Sequence, residues 1–396
     1  MQHRVRGIHL VFVLAGFNVS QALARVPSIK AQVDASTGRL GLALLAMGIG
    51  SVLAMPWTGG LAQRFGSAAV VRGAAPLACL AWAGIGFAHD PAQLTVLLFV
   101  AGAGVGVWDV AMNVQGHTQE QREHRVLMPG LHAGWSIGGV IGALAGAGAA
   151  ALGLPLEVQL PLAAALAVGI VLAATRTFVA DRDAAAGTTP SGHHYETSAA
   201  DPPPGPPVRT RITAVELVLG AMVLAGALAE GAANEWLALL VVEVRDAPEA
   251  TGAIAFACFN VAMVVGRLGG GWLITRYGRV RVLQAAGALG TAGVLLVALV
   301  PSVAAALVGG VLWGLGISVV FPTGMSAAGD VPERGARAIG VVSTIGYTGF
   351  ILGSPTIGLV ADRVGLDQAL LLVALVSAPI VVLALSARER QDSRIR

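Results

Sequence analysis

Twelve stretches of this chain are each long and apolar enough to cross a lipid bilayer, and that alone removes every soluble fold. A hydrocarbon core of about 30 Å takes roughly 20 residues of helix at about 1.5 Å each. By that measure spans are expected near 8–27, 40–62, 69–88, 93–115, 129–153 and 156–176, then near 212–240, 250–275, 280–300, 303–326, 336–361 and 367–387. Strand-type alternation is absent, which excludes a β-barrel and leaves an all-α integral membrane protein. Only 12% of the residues are charged, against about 25% in soluble domains.

The spans divide six and six. A short turn closes the second span of each half: Gly59-Gly-Leu-Ala-Gln-Arg64-Phe-Gly66, then Gly271-Trp-Leu-Ile-Thr-Arg276-Tyr-Gly278. A basic turn repeated at matching places implies a duplicated helical bundle. The expected layout is an N-terminal bundle at 1–176, a cytoplasmic linker at 177–211 and a C-terminal bundle at 212–396. The linker holds Asp201-Pro-Pro-Pro-Gly-Pro-Pro207, which cannot be helix, and lacks apolar periodicity. His193 and His194 within it have no further ligands nearby and make a poor metal site.

Basic residues set the orientation. Of 25 lysines and arginines, 19 fall in the tails and loops on the side of both termini, five fall on the other side, and Arg267 lies within a span. Both termini are therefore expected in the cytoplasm. The first span is preceded by His3-Arg4-Val-Arg6 and contains Ala22-Leu-Ala24, as a secretory leader might; Asn18, Gln21 and Arg25 suit a bundle-facing helix better. The net charge of +3 is small and scattered, so nucleic acid is not an expected partner. Cys79 and Cys258 both sit inside apolar spans and suggest core packing.

Polar residues are unevenly spread. Spans 3, 6, 9 and 12 are almost purely apolar and are expected to face lipid, whereas spans 1, 4, 5, 7 and 8 carry nearly all the Asn, Asp, Glu, His and Gln. A charge at mid-bilayer costs at least ~2.5 kcal/mol and should face protein or water. Asn18, Gln21 and Arg25 follow i, i+3, i+7 on span 1. Gly102, Gly106, Asp109 and Asn113 form a stripe on span 4, and His132, Trp135, Ser136 and Gly139 another on span 5. Span 7 offers Glu230 and Asn234 one turn apart, with Glu235 and Trp236 on adjoining faces; span 8 adds Asn260 and Arg267. Gly102 and Gly106 are expected at close helix contacts rather than in a nucleotide loop, because no strand precedes them. His132 is expected as a structural histidine.

The six-plus-six layout with its Gly-x-Leu-Ala-x-Arg-x-Gly turns resembles the major facilitator superfamily over essentially the whole chain. Ala24-Arg-Val-Pro27, Trp108-Asp-Val-Ala-Met-Asn113, His132-Ala-Gly-Trp-Ser136 and Ala229-Glu-Gly231 with Asn234-Glu-Trp236 resemble a bacterial inner-membrane branch related to fucose-permease-like sugar transporters. The resemblance implies that spans 1, 4, 7 and 10 line a central cavity and that 2, 5, 8 and 11 form the moving interfaces. Gln63 and Thr275 stand where the family's turn usually carries aspartate. A basic residue ahead of the span 4 glycines and a proline-bearing span 5 signature, both typical of drug–proton antiporters, are missing.

The expected activity is secondary transport of a small polar solute, neutral and sugar-like or weakly cationic, by alternating access and coupled to protons. No Gly-x-x-x-x-Gly-Lys-Ser/Thr loop offers an ATP site, no cofactor is expected, and no catalytic cluster suggests an enzyme. Glu230 and then Asp109 are the candidates for proton coupling, since a carboxylate in a low-dielectric cavity can load and release a proton as the cavity changes face. Asn18, Gln21, Asn113, Asn234, Glu235 and Asn260 are candidates for hydrogen bonding to substrate, and Trp135, Trp236 and Trp313 for stacking. Gly59, Arg64, Gly66, Arg267, Gly271, Arg276 and Gly278 are assigned to the cytoplasmic gate and loops. A monomer in the bacterial inner membrane is expected. Efflux of amphipathic compounds is the alternative within transport; a non-transporting sensor or assembly partner is the alternative outside it.

Overall fold

A computed structural model describes residues 2–123, 127–178, 212–331 and 335–388. Among the described residues there is no strand. Twelve helices are long and apolar enough to cross a membrane: span 1 Val5–Leu23, span 2 Thr37–Phe65, span 3 Ser67–Ile85, span 4 Pro91–Glu120, span 5 Gly130–Ala151 and span 6 Leu156–Thr177. The second half has span 7 Ala214–Glu243, span 8 Glu249–Tyr277, span 9 Arg279–Leu299, span 10 Val303–Gly329, span 11 Arg337–Val364 and span 12 Leu366–Ala387. Twelve crossings bring both ends of the chain to one side, here termed the terminal side. The proline run and His193-His194 lie outside the described residues, as do residues 179–211 generally.

Local chemistry sets the helix ends. Ser36 caps span 2 by accepting from the Arg39 amide, and Thr213 and Glu216 form a reciprocal capping box at span 7. Span 1 stops at Leu23, and a short helix, Val26–Gln32, follows with Pro27 in its first turn. Span 10 is broken: its first helix ends at Ile317, Ser318 and Val319 turn, and a second helix runs Val320–Gly329. Pro322 has no amide to donate to the turn before it, which is reason enough for the break.

The two basic turns adopt one geometry. Gly66 and Gly278 have φ of 86° and 83°, a left-handed conformation that glycine takes without strain, and each amide bonds four residues back. A third copy closes span 11: Gly358-Leu-Val-Ala-Asp362-Arg363-Val-Gly365, with Gly365 at φ 92° and the same amide bond to Ala361. It lies on the side opposite the termini, and it carries the aspartate that the other two lack.

Glycine lets the spans touch. A Cβ built on Gly138 of span 5 would lie 1.9 Å from the Val13 carbonyl of span 1, and one on Gly102 of span 4 would lie 1.9 Å from the Met47 carbonyl of span 2. Gly102 and Gly106 therefore serve helix packing, as their spacing suggests. Spans 3, 6 and 12 expose leucines such as Leu80, Leu162 and Leu375, in keeping with lipid-facing positions. Across the pseudo-symmetry axis, span 2 packs on span 11 and span 5 on span 8.

Candidate functional site

A cavity of about 780 Å³ lies between the halves and opens to the terminal side, lined by Asp109, His132, Trp135, Arg267, Phe321 and Thr323 among others. A smaller space of about 180 Å³ continues it toward mid-membrane, where Ser20, Glu230, Asn234 and Asn260 join Trp135 and Arg267. At the junction Arg267 donates from Nη2 to Glu230 Oε1 at 2.9 Å, linking spans 8 and 7. The pair is part-exposed, with Arg267 at 37% and Glu230 at 20%. Asn113 donates to Asp109 Oδ1 at 3.2 Å and to its carbonyl at 2.8 Å, steadying the carboxylate on the cavity wall. Asn260 donates to the Phe256 carbonyl at 2.9 Å, which leaves its side-chain oxygen available.

The opposite side is closed by bonds that join one half to the other. Arg25 donates from Nε to Glu249 at 2.7 Å, and Ser28 bonds the same carboxylate oxygen. Lys30 pairs with Glu243 at 2.7 Å. Asp362 takes the Ser36 hydroxyl at 2.8 Å and the Gly38 amide at 2.9 Å, so its carboxylate sits on the N-terminus of span 2. That is the favourable end of the helix dipole for an anion. Beneath it, Gly41 meets the Ser354 carbonyl and Gly358 meets that of Thr37, so the two helices touch backbone to backbone.

The candidates separate into two groups. Glu230, Asp109, Trp135, Asn234, Asn260 and Arg267 share the cavity, and Gly271 reaches its mouth. Others lie in the core in this conformation. Trp236 and Trp313 are fully buried, and Glu235 accepts from the Ser354 hydroxyl at 2.5 Å. Gln21 is buried against Gln159, and Asn18 is fully buried with no protein partner for its amide among the described residues. Arg64 and Arg276 lie over the rings of Phe65 and Tyr277, at 5.1 and 5.7 Å. A Cβ built on Gly59 meets nothing within 4 Å, whereas Ala62 of the same turn is buried in the core of its half.

His132 is exposed to the cavity across from Asp109, with its ring edge-on to Phe12 at 5.5 Å. Spans 5 and 8 supply wall residues alongside spans 1, 4, 7 and 10. Arg267, assigned from the sequence to the cytoplasmic gate and loops, lines both cavity spaces.

The model of the Major Facilitator Superfamily matches residues 8–332 and 219–396. The chain belongs to the major facilitator superfamily. It is 32% identical over 380 residues to an uncharacterized MFS-type transporter of Yersinia pestis, covering 96% of this chain and 94% of that one. An uncharacterized transporter of Sinorhizobium fredii is 30% identical over 388 residues, covering 96% and 97%. The membrane protein MosC of Rhizobium meliloti is 26% identical over 375 residues. Among solved structures, the nucleoside transporter NupG superposes with a TM-score of 0.76 at 14% identity, covering 98% of this chain and 100% of that one. A bacterial homolog of the human lysosomal transporter Spinster gives 0.74, also at 14% identity and 98% coverage of each chain. At such identities the structures establish the shared superfamily fold.

Proposed function

We propose that this major facilitator moves a small polar solute, neutral and sugar-like or weakly cationic, by alternating access driven by protons. The observation carrying the reading is the cavity between the halves, open on one side and sealed on the other by bonds that all cross between halves. The halves, 1–176 and 212–396, rock about this site while 177–211 tethers them. With 19 of 25 basic residues on the terminal side, that side is the cytoplasm of a bacterial inner membrane, and the open state is inward-facing. The working unit is a monomer, since each chain encloses its own cavity.

The charges favour that cargo. Arg267 is tied to Glu230 and Arg279 to Asp330, so neither is free for an anionic solute, while Asp109 faces the cavity with only Asn113 bonded to it among the described residues. Asn234, Asn260 and Ser20 suit hydroxyl groups, and Trp135 offers a ring face. Glu230, held by Arg267 in the inward-open state, is the first proton carrier. Asp109 is the second. Efflux of amphipathic compounds is the second reading, favoured by the apolar wall of Val264, Leu268, Ile274 and Phe321.

A thermal-shift screen of sugars, polyols, amino acids and amines identifies the solute, which is then followed into proteoliposomes under a pH gradient. Glu230→Gln should abolish pH-driven accumulation while leaving counterflow exchange. Unchanged accumulation rejects the coupling assignment.

A further inference from the structure

Outside the space between the halves, spans 8, 9 and 10 enclose a lateral cleft of about 520 Å³. Leu273, Ala285, Leu289, Leu315 and Val319 make its walls apolar. It opens on the outer surface of the bundle, where Ala285 and Leu289 of its own lining are exposed. On a membrane span, exposed residues of this kind face hydrocarbon. At the terminal-side mouth stand Tyr277 and Arg281. Arg281 is exposed, and among the described residues it has neither an ion pair nor a hydrogen bond; its neighbour Arg279 is held by Asp330 at 2.7 Å and Ser326 at 3.2 Å.

An unpaired guanidinium at the mouth of a hydrocarbon-facing cleft calls for an anion that brings its own apolar body. Basic pockets between spans take anionic lipid headgroups on this physical basis, and the guanidinium fork fits phosphate. We propose that the cleft binds one anionic phospholipid, with its phosphate on Arg281 and an acyl chain along Leu273, Leu289 and Leu315. A soluble anion gains nothing from the apolar walls, and a zwitterionic lipid brings its own cation to compete with Arg281.

The position gives such a lipid leverage. Val319, at the break of span 10, lines both the cleft and the central cavity. Span 8 presses on the same break: a Cβ on Gly266 would lie 2.1 Å from Ser318 Oγ, and one on Gly270 would lie 2.6 Å from Val319 Cγ1. A lipid chain in the cleft therefore bears on one wall of the transport site through a single residue. The inference rests on membrane insertion and not on the identity of solute or coupling ion.

The test uses the full chain delipidated in an uncharged detergent. Binding of dioleoyl phosphatidylglycerol, dioleoyl phosphatidylcholine and glycerol 3-phosphate is measured by native mass spectrometry and by thermal unfolding midpoint. One phosphatidylglycerol should bind about tenfold or more tighter than phosphatidylcholine, the factor of one charge-assisted contact. Arg281→Gln should erase that preference and Arg281→Lys keep most of it. Ala285→Trp should weaken phosphatidylglycerol binding with Arg281 intact, by filling the cleft. Equal binding of the two lipids, binding unaltered in both Arg281→Gln and Ala285→Trp, or glycerol 3-phosphate competing through Arg281 would each overturn the proposal.

Discussion

Glu230 and Glu235 sit five residues apart on span 7 and meet opposite surroundings. Glu230 faces the cavity and Arg267, whereas Glu235 is buried on another side of the helix with the Ser354 hydroxyl as its partner. The two therefore separate function from stability. A part-exposed pair contributes at most about 1 kcal/mol, so Arg267→Gln should barely lower the unfolding midpoint in denaturant while it impairs transport. Glu235→Leu leaves a buried hydroxyl without its acceptor, which should cost about 1–3 kcal/mol; Glu235→Gln keeps an acceptor of the same shape and should recover most of it. Equal losses for Arg267→Gln and Glu235→Leu would contradict the assignment. Asn18 makes a complementary case. Its amide is buried without a protein partner among the described residues, so Asn18→Leu should not destabilise the chain, and any loss of transport then marks a role in another state of the cycle.

At the scale of the element, the turn that closes spans 2 and 8 recurs at span 11, and only there does it hold an acid. Asp362, an exposed carboxylate on the span 2 N-terminus, should contribute about 0.3–1 kcal/mol to closure of the far side. Asp362→Asn should shift the equilibrium toward far-side opening by about two- to fivefold. The shift is read as faster maleimide labelling of Leu40→Cys, a position 1% exposed in the closed state, in a background lacking Cys79 and Cys258. No change in labelling would remove Asp362 from the gate. The spans were legible because their length answers to bilayer thickness, and the first two turns because they hold matching places in two halves. The third copy escaped because it breaks that symmetry, sitting at an eleventh span rather than a second. Stripes on spans 4, 5, 7 and 8 brought Asp109, Trp135, Glu230 and Asn260 onto cavity-facing sides, since helical period fixes which residues share a face. Period says nothing of how each helix is rotated against its neighbours, and so Trp236 and Trp313 could not be told from cavity residues. The break in span 10 hid for a related reason: Pro322 marks where a helix may part, and packing decides whether it does.

On the scale of the whole molecule, alternating access requires spans 2 and 11 to separate on the far side. Glycine makes their present contact so close that they cannot slide past each other: they must part as bodies. A covalent tie at that point should therefore stop the cycle without touching the cavity. A Cβ on Gly38 would lie 3.1 Å from Cγ of Asp362, about the spacing a disulfide needs between one Cβ and the partner sulfur. In a background free of Cys79 and Cys258, Gly38→Cys with Asp362→Cys should transport weakly when reduced, having lost the carboxylate latch. Oxidised, it should not transport at all, and reductant should restore the reduced rate. Solute binding from the open terminal side should survive oxidation, because the tie lies on the opposite side from the cavity mouth. Proteoliposome uptake and thermal-shift titration of the same oxidised sample distinguish the two effects. Continued uptake with the disulfide formed would mean that the solute takes a path other than between the halves.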